Sequence, residues 1–310
     1  MMLSVITPCF NEADNVAMCV DGVRQVMNRD LPDLHYEHIF IDNSSSDQTV
    51  PTLKLIAAID PHVKIIVNSR NVGPFKSMWH ALSRAEGDAV VPFLPADLQD
   101  PPEVIPAFVE KWIAGDLVVY GLRVRRQEHL PMRLARGIYY RLVNVLSGRK
   151  IPINAGEFLL ADRRVIDSIL AVDDAYPYIR GLVAQTEVRA GSVPYTWLKR
   201  GRGRSKLHLV QLFDQAINGL VSTTRVPARL ALIGGFLLAL CGIVGGLVSL
   251  FLVATSDGEI SAGIPTIIVS VFFFSGFQLF FLGVVGEYVM SIHGQVRRPP
   301  EMFELEIVNF

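Results

Sequence analysis

Short apolar runs recur along the first 120 residues, and each is closed by a polar cluster. Residues 3–8 (LSVITP), 38–42 (HIFID), 63–67 (VKIIV), 89–94 (AVVPFL) and 117–120 (LVVY) read as buried strands. Helical periodicity falls between the first four, around 13–28, 48–59 and 74–86. Strand alternating with helix predicts an α/β class: a mostly parallel sheet with helices on both faces. In such sheets ligands bind beyond the carboxyl ends of the strands. The polar clusters fall there: TPCFNE after the first strand, DNSSSD after the second, NSRNVG after the third and PADLQD after the fourth. Any one of these could be loop or cap chemistry, and Ser46 or Asp47 is well placed to cap a helix. Four in succession mark a functional rim.

The pattern changes near the far end. Leu230–Ala254 and Gly263–Gly286 carry no charge and are apolar all round, each exceeding the roughly 20 residues that cross a bilayer core. Only TSDGEISA separates them, so they are expected to form a hairpin. Arg225 and Arg229 precede the first and Arg297 and Arg298 follow the second, while the loop holds Asp257 and Glu259. That asymmetry predicts cytoplasmic termini. The expected organisation is a cytoplasmic α/β domain over 1–206, a juxtamembrane amphipathic helix over 207–229, two spans (230–254 and 263–286) within 230–286, and a cytoplasmic tail over 287–310.

Composition adds exclusions. A net charge of −1 over 310 residues gives no reason to expect nucleic acid, which usually demands a basic face. Cys9, Cys19 and Cys241 have neither metal spacing nor a disulfide framework, which suits a reducing compartment. The N-terminus passes directly from strand to polar residues, with no signal-peptide pattern.

VITPCFNEADNV, IDNSSSDQT, NVGPFKSMWHAL and PADLQDPPEV, in this order and spacing, resemble the family 2 glycosyltransferases of the GT-A fold. INAGEFLLADRRV, RGRGRSK, the paired apolar runs and GEYVMSIHGQVRRPPEMF are similar to the polyprenyl-phosphate glycosyltransferases, which include bactoprenol glucosyltransferases and dolichol-phosphate mannose synthase. The resemblance spans nearly the whole chain. It implies a donor-nucleotide set of Pro8, Asn11, Glu12 and Asp42, with Asp42 at the base edge and Glu12 at the ribose. Asn71 and Gly73 would let backbone approach the nucleotide, Lys76 would reach it from the next helix, and Asp97 belongs to the same set. Asn43 stands where many relatives have a second Asp.

Asp97 and Gln99 match the second Asp and the Gln of the family's Asp-Ala-Asp-Leu-Gln motif and are the expected ligands of Mg²⁺ or Mn²⁺. In an extended segment, i and i+2 side chains share a face and can share one ion. Pro95 replaces the first Asp. Asp100 is expected to close the turn that Pro101 and Pro102 stiffen. Asn154 and Glu157 of NAGEF depart from the family's Asp-Ala-Gly-Asp-Phe, so the resemblance implies a donor hexose other than the commonest. Asp97, Glu157 and Arg123 are the expected catalytic residues. Arg123 and Arg133 are candidates for the acceptor phosphate, and Arg200, Ser205 and Lys206, with Gly203, for the donor diphosphate.

Residues 131–148 place Leu134, Ile138, Leu142 and Val145 on one helical face beside Arg133, Arg136 and Arg141, which suits a membrane surface. Residues 207–222 are a second amphipathic candidate. The expectation is an inverting, metal-dependent hexosyltransferase in a bacterial inner membrane. It would move one sugar from a nucleotide sugar, UDP-linked ahead of GDP-linked, to a polyprenyl phosphate on the cytoplasmic leaflet, and a homo-oligomer is compatible with the hairpin. Two rivals stand beside it: a transferase acting on a glycolipid or polysaccharide, and a nucleotide-sugar or lipid-phosphate binding module with a decayed metal site.

Overall fold

The computed structural model describes residues 1–125, 154–172, 178–198, 226–255, 263–297 and 303–310. The chain divides into two compact units, one holding 1–144, 148–208 and 298–310, the other holding 145–147 and 209–297.

The first unit is built on an eight-stranded sheet. Its strands are β1 (Met2–Cys9), β2 (His35–Asp42), β3 (Val63–Asn68), β4 (Ala89–Val91), β5 (Val118–Arg125), β6 (Ala155–Asp162), β7 (Ala190–Thr196) and β8 (Glu304–Val308). They lie in the order β7-β5-β6-β4-β1-β2-β3-β8. Strands β4, β1, β2 and β3 run parallel, as do β5 and β7, while β6 runs antiparallel to both β4 and β5. Expectation and structure agree on a mostly parallel sheet with helices on both faces. Every residue of β1 from Leu3 to Cys9 is buried, as a central strand covered on both sides requires.

Two cores form, one on each face. Helices α1 (Val16–Asp30), α2 (Thr49–Ala57) and α4 (Ile105–Ile113) cover one, where Val16, Cys19, Val20, Val23 and Met27 meet Leu3, Val5 and Phe40 at helical spacing. Helices α3 (Pro74–Arg84), α5 (Arg163–Leu170) and α6 (Ile179–Gln185) cover the other, where Met78 and Leu82 join Ile6, Ile39 and Ile66. Asp162 starts α5 by accepting from Arg164 N–H at 3.0 Å.

Three boundaries differ from expectation for identifiable reasons. The fourth strand ends at Val91, not residue 94, because Pro92 has no N–H for the ladder; Leu94 N–H still donates to Ile6 O at 2.8 Å. The fifth strand runs on to Arg125. Within the expected tail, β8 adds antiparallel to β3 at the edge, with Ser69 N–H donating to Phe303 O at 2.9 Å.

The second unit holds α7 (Val226–Thr255) and α8 (Gly263–Arg297). They pack where Gly234 faces Phe281 and Phe277, whose rings would stand 3.5 and 3.7 Å from an added Cβ. Two spans were expected. Among the described residues one helix, α8, is long and apolar enough to cross a membrane, through Phe273–Met290 with mean hydropathy 1.4 and none of that window buried. It continues past Gly286 to Arg297. The described apolar run of α7, Ile233–Gly242, is shorter. The amphipathic segments over 131–148 and 207–222, and the basic RGRGRSK, lie outside the described residues.

Candidate active site

The carboxyl ends of β1 to β4 open on one rim, and the loops there bind each other before they could bind anything else. Asn11 takes φ +54°, a region that Asn tolerates better than most residues. Its N–H donates to Ser45 Oγ at 2.8 Å and its Oδ1 accepts from Ser46 N–H at 2.9 Å. Glu12 N–H donates to Thr49 Oγ1 at 2.9 Å, and Glu12 Oε2 accepts from Asn15 Nδ2 at 2.5 Å. The first two loops are thereby joined along their length.

Asp42 forms the floor of this corner, fully buried and accepting from both the N–H (2.8 Å) and the hydroxyl of Ser45. Burial pushes its carboxyl up; the Ser45 and Cys9 hydrogen bonds oppose that without cancelling it. Pro8 is buried in β1 opposite Ile41. Asp47 is also partly desolvated, but Thr49 and Ala13 donate to it and hold its carboxyl below the usual range.

Behind the third strand lies a network the sequence did not mark. Asn43 Oδ1 accepts from the Ser77 hydroxyl, and from Asn68 Nδ2 and Val72 N–H, each at 3.4 Å. An amide oxygen therefore joins the end of β2 to β3 and to the start of α3. Asn71 Oδ1 accepts from Gly73 N–H at 2.9 Å, and Gly73 takes φ +85° with open space around the missing Cβ. Pro74 then opens α3. Lys76, in its first turn, is held below the ordinary lysine range by burial and then by the charge of Arg70.

The loop after β4 departs from the extended geometry expected for Asp97 and Gln99. Leu98 between them takes φ +55°, Leu98 N–H donates to Pro95 O at 3.1 Å, and Asp97 Oδ1 accepts from Gln99 N–H at 3.2 Å. The pair sits on a tight turn, so the two residues are brought close by the turn and not by strand alternation. Pro95 contributes its carbonyl to that turn. Among the described residues no group of three or more His, Cys, Asp and Glu is gathered for a metal.

Asp100 and Arg123 fix this turn to the sheet. Asp100 is 1 % exposed and takes Arg123 in a two-point pair, Nη2 to Oδ2 at 2.7 Å and Nε to Oδ1 at 3.1 Å. The Tyr195 hydroxyl donates to Asp100 and accepts from Arg123 Nε at 3.0 Å. Trp197 stacks on the guanidinium with its centroid 5.3 Å away, and Leu198 N–H donates to Gln99 O at 2.9 Å. The guanidinium also lies against Gly156, where any Cβ would approach it to 3.0 Å. Burial works against the charge of Arg123, but Asp100 and then Tyr195 outweigh it and raise the guanidinium further. Arg123, expected to meet an acceptor phosphate, is paired with Asp100 in this structure. Asp100, expected to close its own turn, pairs instead with Arg123 of β5 and Tyr195 of β7.

Glu157 lies near the start of β6, which runs antiparallel to β4 and so begins beside the end of β4, on the same rim. Its Oε1 has Arg180 Nε at 3.9 Å. Arg180 was missed in the sequence; the signal available was one charge in the otherwise uncharged helix IRGLVAQ. Arg133, Arg200, Ser205 and Lys206 lie outside the described residues.

A mostly parallel sheet with carboxylates and amides gathered beyond its strand ends defines an α/β enzyme that takes its ligand at the rim. The model of glycosyl transferase family 2 matches residues 4–170, and the chain belongs to that family. It is a glycosyltransferase. Relatives cover it nearly end to end. The uncharacterized glycosyltransferase YkcC of Bacillus subtilis (strain 168) is 33% identical over 96% of this chain and 91% of its own. The SfII prophage-derived bactoprenol glucosyl transferase of Shigella flexneri is 31% identical over 97% of this chain and 96% of its own. Among solved structures, glucosyl-3-phosphoglycerate synthase from Mycobacterium tuberculosis, in complex with Mn²⁺, UDP-glucose and phosphoglyceric acid, matches with TM-score 0.55 at 20% identity. That match covers 72% of this chain and 79% of the other, and gives a GT-A-like fold.

Proposed function

We propose that this glycosyltransferase moves one sugar from a nucleotide sugar to a polyprenyl phosphate, with inversion, at the cytoplasmic face of a membrane. The observation that carries the reading is the Asp97–Gln99 turn, locked onto the sheet by the buried Asp100–Arg123–Tyr195 cluster at the strand-end rim. The near full-length similarity to a bactoprenol glucosyl transferase supports the lipid acceptor.

The donor set at the turn is one carboxylate and one amide. Gln99 Nε2 lies 3.5 Å from Leu198 O, so its amide oxygen is the end left for a cation. So sparse an oxygen set fits Mg²⁺ or Mn²⁺, whose shells are completed by water and substrate phosphates. When bound, the ion would neutralise the departing diphosphate.

The acceptor phosphate is itself the nucleophile. One of its oxygens bonds to the anomeric carbon, the bond from that carbon to the diphosphate breaks, and the nucleoside diphosphate leaves with the electron pair. A phosphate monoester is already largely ionised near neutral pH, so no side chain must take a proton from it. A single displacement inverts the anomeric centre. What the chain supplies is alignment. Asp42, Asn11 and the joined first loops shape the nucleoside corner, Lys76 and Arg70 add positive charge beside it, and Asp97 and Gln99 present oxygen at the diphosphate. Arg133 is the proposed contact to the acceptor phosphate, with Arg200, Ser205 and Lys206 on the donor diphosphate.

The membrane reading rests on α8, on the unbroken apolar stretch Leu230–Ala254, and on the arginines flanking the pair. Its consequence is a phosphate acceptor presented at headgroup level.

Release of nucleoside diphosphate by the purified full-length protein tests the chemistry. It should require undecaprenyl phosphate, stop with a chelator and resume with Mn²⁺ or Mg²⁺. Asp97→Ala should lower kcat by at least about a hundredfold, the scale of removing electrostatic support from a leaving group. Equal release without the lipid, or full activity in the variant, would contradict the proposal.

A further inference from the structure

Glu157 is a carboxylate in an apolar setting. Its companions on the same face of β6, Ala155, Leu159 and Ala161, are fully buried among side chains of α3, α5 and α6. A carboxylate there needs an opposite charge and a full set of hydrogen bonds. It has the first in part and lacks the second. Arg180 Nε stands 3.9 Å from Oε1, beyond hydrogen-bond range, and the buried Oε2 has no hydrogen-bond partner among the described residues. An acceptor left so is costly unless something else completes it.

Arg180 is held from behind. Its Nη1 donates to Ala155 O at 2.5 Å, and Nε and Nη2 both donate to the Tyr178 hydroxyl, Nε at 2.9 Å. The Arg180 side chain is only 12% exposed, so its charge faces Glu157 from a fixed position without saturating the carboxylate. Tyr120, on neighbouring β5, feels both charges; burial pushes its phenol up to about 12, so its hydroxyl stays protonated beside them.

We infer that Arg180 is a positioning residue: it holds Glu157 so that the buried oxygen accepts a hydrogen bond from a hydroxyl of the transferred sugar, and the pair selects the donor sugar. This rests on the nucleotide-sugar reading above. The position supports it, since the start of β6 borders the end of β4, from which the Asp97–Gln99 turn departs. The chemistry supports it too, because an unfilled carboxylate oxygen discriminates among hexoses by where their hydroxyls point.

The test is calorimetric binding to the full-length protein in detergent, with UDP-glucose and UDP-galactose against UDP, and GDP-mannose against GDP. The ratio of the nucleotide's Kd to the nucleotide sugar's Kd isolates the sugar's share. For the donor that wild type prefers, Arg180→Lys, Tyr178→Phe and Glu157→Gln should each lower that ratio, by about tenfold for Arg180→Lys and Glu157→Gln. The plain nucleotide should bind within about twofold of wild type, and adding Arg180→Lys to Glu157→Gln should cost nothing more. Unchanged ratios for every donor that wild type binds would overturn the inference alone. So would a parallel loss of plain nucleotide binding, the mark of a merely structural role. Wild type that binds neither UDP nor GDP in any form would overturn the donor reading and this inference with it.

Discussion

Asp100 and Arg123 show how one buried pair can govern a loop. Both are desolvated, their hydrogen bonds are shared with Tyr195, and the guanidinium packs against Trp197 and Gly156. Removing one partner strands the other's charge. Arg123→Met is therefore expected to destabilise the fold by about 3–5 kcal/mol, with Asp100→Leu recovering part of that in the double variant, as chemical denaturation would show. Gly156→Ala should destabilise by about 1–3 kcal/mol through overpacking against the guanidinium, and an unchanged denaturation midpoint would contradict that packing. His38 gives a pH prediction. It is fully buried, bonded through Nε2 to Thr7 Oγ1 at 2.8 Å, and burial lowers its imidazole to about 3. The unfolded chain, with an ordinary histidine value near 6.5, binds a proton there that the folded chain does not. Its contribution to stability is thus lost progressively as pH falls from about 6.5 towards 3. Melting temperature followed from pH 7 to pH 4 should fall, and His38→Gln should flatten that decline. The residues of the rim loops were legible because they follow strand ends. The clamp residues were not: Asp100 and Tyr195 are 95 positions apart, and nothing local marks them as partners.

At the scale of elements, legibility follows burial. The central strands β1, β2 and β3 were readable because nearly every side chain in them is covered. The expected fourth strand ran too far because PFL continues an apolar run, while Pro92 ends the ladder. β8 was not read at all. ELEIV is short, follows a long helix, and gains its strand character from β3, more than 230 residues earlier in the chain. Its docking is specific: Glu304 accepts from His80 at 2.5 Å and Arg84 at 3.0 Å, Glu306 pairs with Lys54 at 2.5 Å, and Asn309 Nδ2 donates to Ala57 O and Val63 O, each at 2.9 Å. Removing residues 303–310 uncovers the edge of β3, whose backbone groups then lack partners. The truncated protein should melt several degrees lower and aggregate more readily, which light scattering during a thermal ramp would register. Equal melting and scattering would mean that β8 contributes nothing to the sheet.

At the scale of the whole molecule, a catalytic unit and a unit of two long helices share one chain. The charge asymmetry around those helices predicts their orientation. In a Cys241→Ser background, Asp257→Cys should react with a membrane-impermeant maleimide in intact cells, and Arg298→Cys should react only after lysis; the reverse pattern would invert the topology. The central claim is narrower: the sugar goes onto the phosphate of a lipid. The most direct measurement is the mass of the lipid recovered when purified protein, undecaprenyl phosphate, a divalent cation and a panel of UDP- and GDP-sugars are combined. A product heavier than undecaprenyl phosphate by one sugar residue, formed with one donor and absent with Asp97→Ala, is the result predicted. Undecaprenyl phosphate returned at its starting mass with every donor, while the protein still binds nucleotide, would contradict the account.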